Sequence, residues 1–130
     1  MAKGKEVVTV SQDAPVKAPY SPALKVEGTR WLFCSGQLGV DSKTGNLLEG
    51  IEAQTAQALE NLKGLVEAAG GTLADVVKVT VFLADMGDFA KMNEVYRRYL
   101  PQPFPTRSTV QVAGLAREAR VEIECVAILG

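Results

Sequence analysis

The sequence predicts an α+β protein in which a single mixed sheet carries two helices on one face. Three observations lead to that class. Strand-like and helix-like runs alternate in the order strand, strand, helix, strand, helix, strand, strand. Only two stretches have the 3.6-residue apolar period of a helix, and each has one stripe to bury. In the last run, ARVEIECVAILG, the odd positions Val121, Ile123, Cys125, Ala127 and Leu129 are all apolar, which gives one strand face for those stripes to cover. A chain of 130 residues that is 47% hydrophobic and 22% charged suits one domain spanning 1–130.

Val7 to Val10 is the first strand candidate, followed by a proline-punctuated, irregular stretch that contains Tyr20. The run ALKVEGTRWLFCSGQLGV reads as two strands meeting at Glu27-Gly28-Thr29, with glycine supplying a hairpin turn. Residues 41–50 form a polar loop with glycine at its turns.

Ile51 to Ala69 is rich in good helix formers, with Ala56, Leu59, Leu62, Val66 and Ala69 along one stripe. Gly70-Gly71 ends it. The strand that follows places Val79, Val81 and Leu83 on a common face. Asp85 is placed to cap a second helix, Met86 to Leu100, whose apolar side is Phe89, Met92, Tyr96 and Tyr99, and Pro101 stops it. Two strands close the chain, Thr106 to Val112 and Ala119 to Leu129. Val126 and Ile128 make half of the last strand's other face apolar as well, and this points to cover by another subunit or by a loop of the same chain.

Composition excludes several functions. Lys plus Arg number 14 against 15 Asp plus Glu, for a formal net charge of -1, so nucleic-acid binding lacks its electrostatic footprint. No run approaches the ~20 apolar residues of a membrane span, and MAKGKEVVTV lacks the apolar core of a signal peptide, which suggests a cytoplasmic protein. Cys34 and Cys125 sit in apolar strand-like runs and read as buried reduced thiols, not as a disulfide or a metal site. Histidine is absent, which removes the commonest general base and metal ligand. Chemistry would rest on carboxylates, tyrosine, arginine, backbone groups or water.

The segment QPFPTRST is the most suggestive. Pro103 and Pro105 impose an extended approach to Arg107, and Arg107, Thr109 and Gln111 share one side of their strand. If the last two strands pair as an antiparallel hairpin, Glu122 falls near the level of Arg107 or Thr109, and an arginine and a carboxylate could share a cleft. Spacing alone equally describes an exposed cross-strand ion pair worth at most ~1 kcal/mol.

The segments APYSPA, FCSGQLGVDSKTG, QTAQALENLKGLVEAAGGTLADVVKVTVFLADMGDFAKMNEVYRRYL and FPTRSTVQVAGLAREARVEIECVAI together resemble the RidA (YjgF) family of reactive-intermediate deaminases over nearly the whole chain. The resemblance implies a chorismate-mutase-like homotrimer with sites between subunits. It also implies hydrolysis of 2-imino acids and their enamine tautomers (2-iminobutanoate, 2-iminopropanoate) to 2-keto acids and ammonia, without metal or organic cofactor. It assigns Arg107, Glu122 and Tyr20 to catalysis, with Arg107 on the substrate carboxylate and Glu122 on the hydrolytic water. Substrate contact falls to Arg107, Thr109, Ser35, Gly36, Phe89 and Asn93. Thr109 stands where many members have cysteine, and Pro22 where many read SQA. A 2-keto acid sensor without turnover is the alternative, and a translation inhibitor or ribonuclease fits the composition poorly.

Overall fold

The computed structural model describes residues 4–10 and 18–130. Of the proline-punctuated stretch, residues 11–17 lie outside the described residues. The elements are β1 (Glu6–Val7), β2 (Leu24–Lys25), β3 (Arg30–Leu38), α1 (Ile51–Ala68), β4 (Val76–Leu83), α2 (Phe89–Tyr99), β5 (Thr106–Gln111) and β6 (Val121–Leu129). β3, β6, β4 and β5 form one sheet in that order, antiparallel except for the parallel pair β4–β5. The predicted α+β mixed sheet is therefore present.

Two expected hairpins are absent. β2 pairs with β1 in a separate two-stranded ribbon, and β3 pairs with β6, so no hairpin forms across Glu27-Gly28-Thr29. β5 and β6 are likewise not neighbours: β4 lies between them, antiparallel to β6 and parallel to β5. The physical reason is burial. Val79, Val81 and Leu83 of β4 are buried, and the central position covers both edges of that strand with partners. A parallel partner then needs a crossover, and α2 supplies it.

Both helices cover one face. α1 buries Ile51, Ala58, Leu59, Leu62 and Val66 against it, with Gln54 and Thr55 also buried. The expected stripe is right at Leu59, Leu62 and Val66, whereas Ala56 and Ala69 are only partly buried. Gln54 is tolerated in the interior because its amide is spent: Nε2 donates to the Leu48 carbonyl at 2.9 Å, and Oε1 accepts from the Arg120 N–H at 2.8 Å. Asp85 caps as expected, its carboxylate accepting from Gly87 N–H at 2.8 Å, but the turn it caps is a 3-10 segment, Met86–Asp88, that leads into α2. α2 buries Met92, Val95 and Tyr96.

Among the described residues, the other face of the sheet is largely left uncovered. Trp31 and Phe33 on β3 are 58% and 71% exposed and stack at a centroid separation of 6.2 Å. Phe33 lies opposite the partly buried Val126, and Val110 is exposed on β5. Of the two covers expected, Ile128 has the loop of the same chain. It is only 4% exposed because Gly28 lies over it, so close that a Cβ at Gly28 would sit 2.3 Å from the Ile128 Cγ2. A loop of the same chain covers Ile128, and the open apolar patch is Trp31, Phe33 and Val126. No helix among the described residues is long and apolar enough to cross a membrane.

Candidate active site

β5 is the edge strand beside α2, and its parity decides what reaches the helix side. Arg107 and Thr109 pair with Val79 and Val81, both buried under the helices, so they point to that same side. Gln111 continues the row, and its Oε1 accepts from Met86 N–H at 2.7 Å, tying the start of α2 to the end of β5. The segment before the strand is fixed too. Ser21 N–H donates to the Pro105 carbonyl at 3.1 Å, its hydroxyl donates to the Phe104 carbonyl, and Thr106 Oγ1 donates to the Val77 carbonyl at 2.9 Å. The Gln102–Pro103 bond is cis, and the buried Pro105 stands at the strand entrance.

Three aromatic rings surround Arg107. Its guanidinium carbon lies 4.7 Å from the Tyr96 ring centroid, 5.5 Å from that of Tyr20 and 5.7 Å from that of Phe89. These distances are within cation–π range. Burial pulls the guanidinium below its ordinary value, with Tyr96 and Tyr20 opposing that shift. Arg107 Nη1 is buried without a hydrogen-bond partner. The same holds for Thr109 Oγ1, Asn93 Oδ1 and Tyr96 Oη. Phe89, Asn93 and Tyr96 follow one another at helical spacings of four and three, which places all three on one face of α2. A partly buried cation with an unspent N–H, on the same side of the sheet as the unpaired Thr109 Oγ1 and Asn93 Oδ1, is what a small anion with further polar groups would satisfy.

The structure thus brings Arg107, Thr109, Tyr20, Phe89 and Asn93 to one side of the sheet. Ser35, Gly36 and Glu122 are on the other. Glu122 pairs with Phe82, three residues from Val79, the partner of Arg107. An odd separation on β4 places the two side chains on opposite faces. The shared cleft expected from a β5–β6 hairpin therefore does not exist within one chain, and Glu122 is level with Val110, not with Arg107.

Ser35-Gly36 lies where β3 slips register. Cys34 opposes Cys125 and Gln37 opposes Ile123, so three steps on β3 match two on β6, which is a bulge of one residue. The Glu122 carboxylate lies against this glycine: a Cβ on Gly36 would sit 2.0 Å from a carboxylate oxygen and would make that side chain shift. The residue that sequence reasoning missed is Tyr96, assigned only to the apolar side of its helix. The signal was its spacing from Asn93 and Phe89. Among the described residues, no group of three or more His, Cys, Asp or Glu side chains clusters as metal ligands would.

Fold and site define an α+β protein with an arginine set among three aromatic rings on the helix side of its sheet. The sequence profile of the Endoribonuclease L-PSP family matches residues 11–129, and the chain belongs to that family. It is 47% identical over 124 residues to a RutC family protein of Pyrococcus horikoshii, an alignment covering 95% of this chain and 97% of the relative. It is 42% identical over 127 residues to the 2-iminobutanoate/2-iminopropanoate deaminase of Homo sapiens, covering 97% of this chain and 91% of the relative. The crystal structure of RidA from an Antarctic Psychrobacter superposes with a TM-score of 0.75 at 44% identity, covering 97% of this chain and 95% of that one. The resemblance to the RidA group read from the sequence is confirmed.

Proposed function

We propose that this protein hydrolyses 2-imino acids and their enamine tautomers to 2-keto acids and ammonia. The observation that carries the reading is Arg107, partly buried on the helix side of an edge strand with a buried, unspent Nη1 and flanked by aromatic side chains instead of carboxylates. The likeness to a relative named for deamination of 2-iminobutanoate and 2-iminopropanoate supports it.

Arg107 grips the substrate carboxylate through parallel charge-assisted hydrogen bonds. The adjacent imine carbon is electrophilic, and more so once its nitrogen is protonated, so the remaining need is a placed water. Glu122 orients that water and accepts its proton as oxygen bonds to carbon. Collapse of the resulting carbinolamine breaks the C–N bond and releases ammonia, leaving the keto oxygen derived from water. Thr109 and Asn93 supply polar contacts, Tyr20 closes the recess, and Phe89 limits its width.

Since Arg107 and Glu122 occupy opposite faces of one sheet, the working site takes them from two chains. The open face bearing Glu122, Ser35, Gly36, Trp31 and Phe33 is the surface against which a neighbouring protomer brings its β5 edge, and closure around a threefold axis gives a homotrimer with three sites. A cytoplasmic location accompanies this reading. RNA cleavage, which the family's name invokes, is disfavoured by the absence of histidine and a net charge of -1.

Ammonia release is measured with the imine generated in situ by an amino-acid oxidase. The wild type should accelerate it, and Arg107→Lys should lower the rate by ~10²-fold or more with assembly unchanged, because one ammonium cannot reproduce the planar fork. Retained 2-oxobutanoate binding with no turnover by the wild type would make the protein a keto-acid sensor instead.

A further inference from the structure

A partly buried arginine needs something to hold it, and the usual holder, a carboxylate, would occupy the N–H groups that a substrate carboxylate requires. Among the described residues no ion pair to Arg107 occurs, and three aromatic rings lie within cation–π range of its guanidinium carbon. They are not equivalent. Tyr96 is the nearest, at 4.7 Å, and is fully buried, whereas Tyr20 is 36% exposed and Phe89 only partly buried. Tyr96 also sits on the helix whose entry is tied to β5 by the Met86–Gln111 hydrogen bond, so ring and arginine are carried on elements bound to each other.

The Tyr96 hydroxyl does not explain its place. Its oxygen is buried without a partner, so a hydrogen bond does not orient the ring; packing among Met92, Leu100 and the sheet does. Burial pushes the phenol far above its ordinary value, so it stays protonated, and the attraction for Arg107 comes from the negative face of a neutral ring, not from a phenolate.

We propose that Tyr96 is the positioning residue of this site: its ring face holds the Arg107 guanidinium in place while leaving the N–H fork free for the substrate carboxylate. The inference rests on the reading of Arg107 as the carboxylate anchor. The advantage over a carboxylate holder is direct. A substrate arriving at an arginine already paired with Asp or Glu must displace that partner and leave it buried and unpaired, whereas a ring keeps its contact with the guanidinium throughout binding.

The test varies the ring's electrostatics at nearly constant shape. Phenylalanine, 4-fluoro-, 3,5-difluoro- and 3,4,5-trifluorophenylalanine are placed at position 96, and 2-oxobutanoate binding is followed by calorimetry with imine hydrolysis measured alongside. Tyr96→Phe should bind and turn over within about threefold of the wild type, because the ring remains. Along the fluorinated series the dissociation constant should rise stepwise, reaching about tenfold at three fluorines, with kcat/KM falling in parallel and the assembly unchanged. A role confined to filling space would give a flat series, and a flat series overturns the proposal. An equal loss in Tyr96→Phe and every fluorinated variant would also overturn it, since the hydroxyl would then be the working group. Arg107→Lys run alongside keeps the two failures apart: full activity there removes the arginine from the site altogether, whereas an inactive Arg107→Lys beside a flat series removes Tyr96 alone.

Discussion

Arg107 and Glu122 project from opposite faces of one sheet, their registers set three residues apart on β4 by Val79 and Phe82. If turnover needs both, each site takes one residue from each of two chains, and that arrangement can be tested by mixing. Arg107→Lys and Glu122→Gln chains, each inactive alone, are unfolded, combined in equal amounts and refolded. Random trimers should recover about a quarter of wild-type activity, because half the clefts receive an intact Arg107 and half of those an intact Glu122. Recovery near zero would place both residues in a single-chain site or remove one of them from the chemistry.

Glu122→Gln by itself should leave 2-oxobutanoate affinity largely intact and slow hydrolysis by about 10²-fold, since glutamine keeps the size and can hydrogen-bond water but cannot accept its proton. Gly36→Ala should reproduce much of that loss with Glu122 still present, because the new methyl would occupy the space of the carboxylate and push it aside. Single-turnover ammonia release checks both. Wild-type rates in Glu122→Gln would return the residue to a structural part.

Phe33→Glu places a charge in the middle of the open patch formed with Trp31 and Val126. At 71% exposure the isolated protomer should tolerate it, within about 0.5 kcal/mol. A subunit contact would not tolerate an unpaired buried charge. Sedimentation should therefore show smaller species with native secondary structure, and hydrolysis should fall with assembly. A stable, active trimer in this variant would move the interface elsewhere.

Alkaline stability should report on Tyr96. Its folded value lies far above the ordinary 10.0 because burial disfavours the phenolate. Above about pH 10 the unfolded chain ionises this tyrosine while the folded chain keeps its proton, so the folded state binds more protons and the free energy of unfolding falls as pH rises. Urea midpoints of the wild type should therefore drop more steeply than those of Tyr96→Phe between about pH 9.5 and 11. Parallel slopes would contradict the burial of the phenol.

The sequence by itself determined the element order, the ends of α1, the Asp85 cap and the stripe Val79, Val81, Leu83, because these depend on local period, propensity and capping chemistry. It also made Arg107, Thr109 and Gln111 one row, since strand parity is a local property. The tertiary structure alone decided strand pairing. Adjacent strands in sequence suggested hairpins at β2–β3 and β5–β6, but the return in buried apolar surface came from placing β4 between β6 and β5, which no local pattern encodes. That choice separated Arg107 from Glu122 and left Trp31 and Phe33 uncovered. It also turned Tyr96 from a residue of the helix's apolar side into the nearest of the three rings at the guanidinium. Which ring faces which cation depends on how α2 lies across β5, and that is fixed by contacts between residues far apart in the chain.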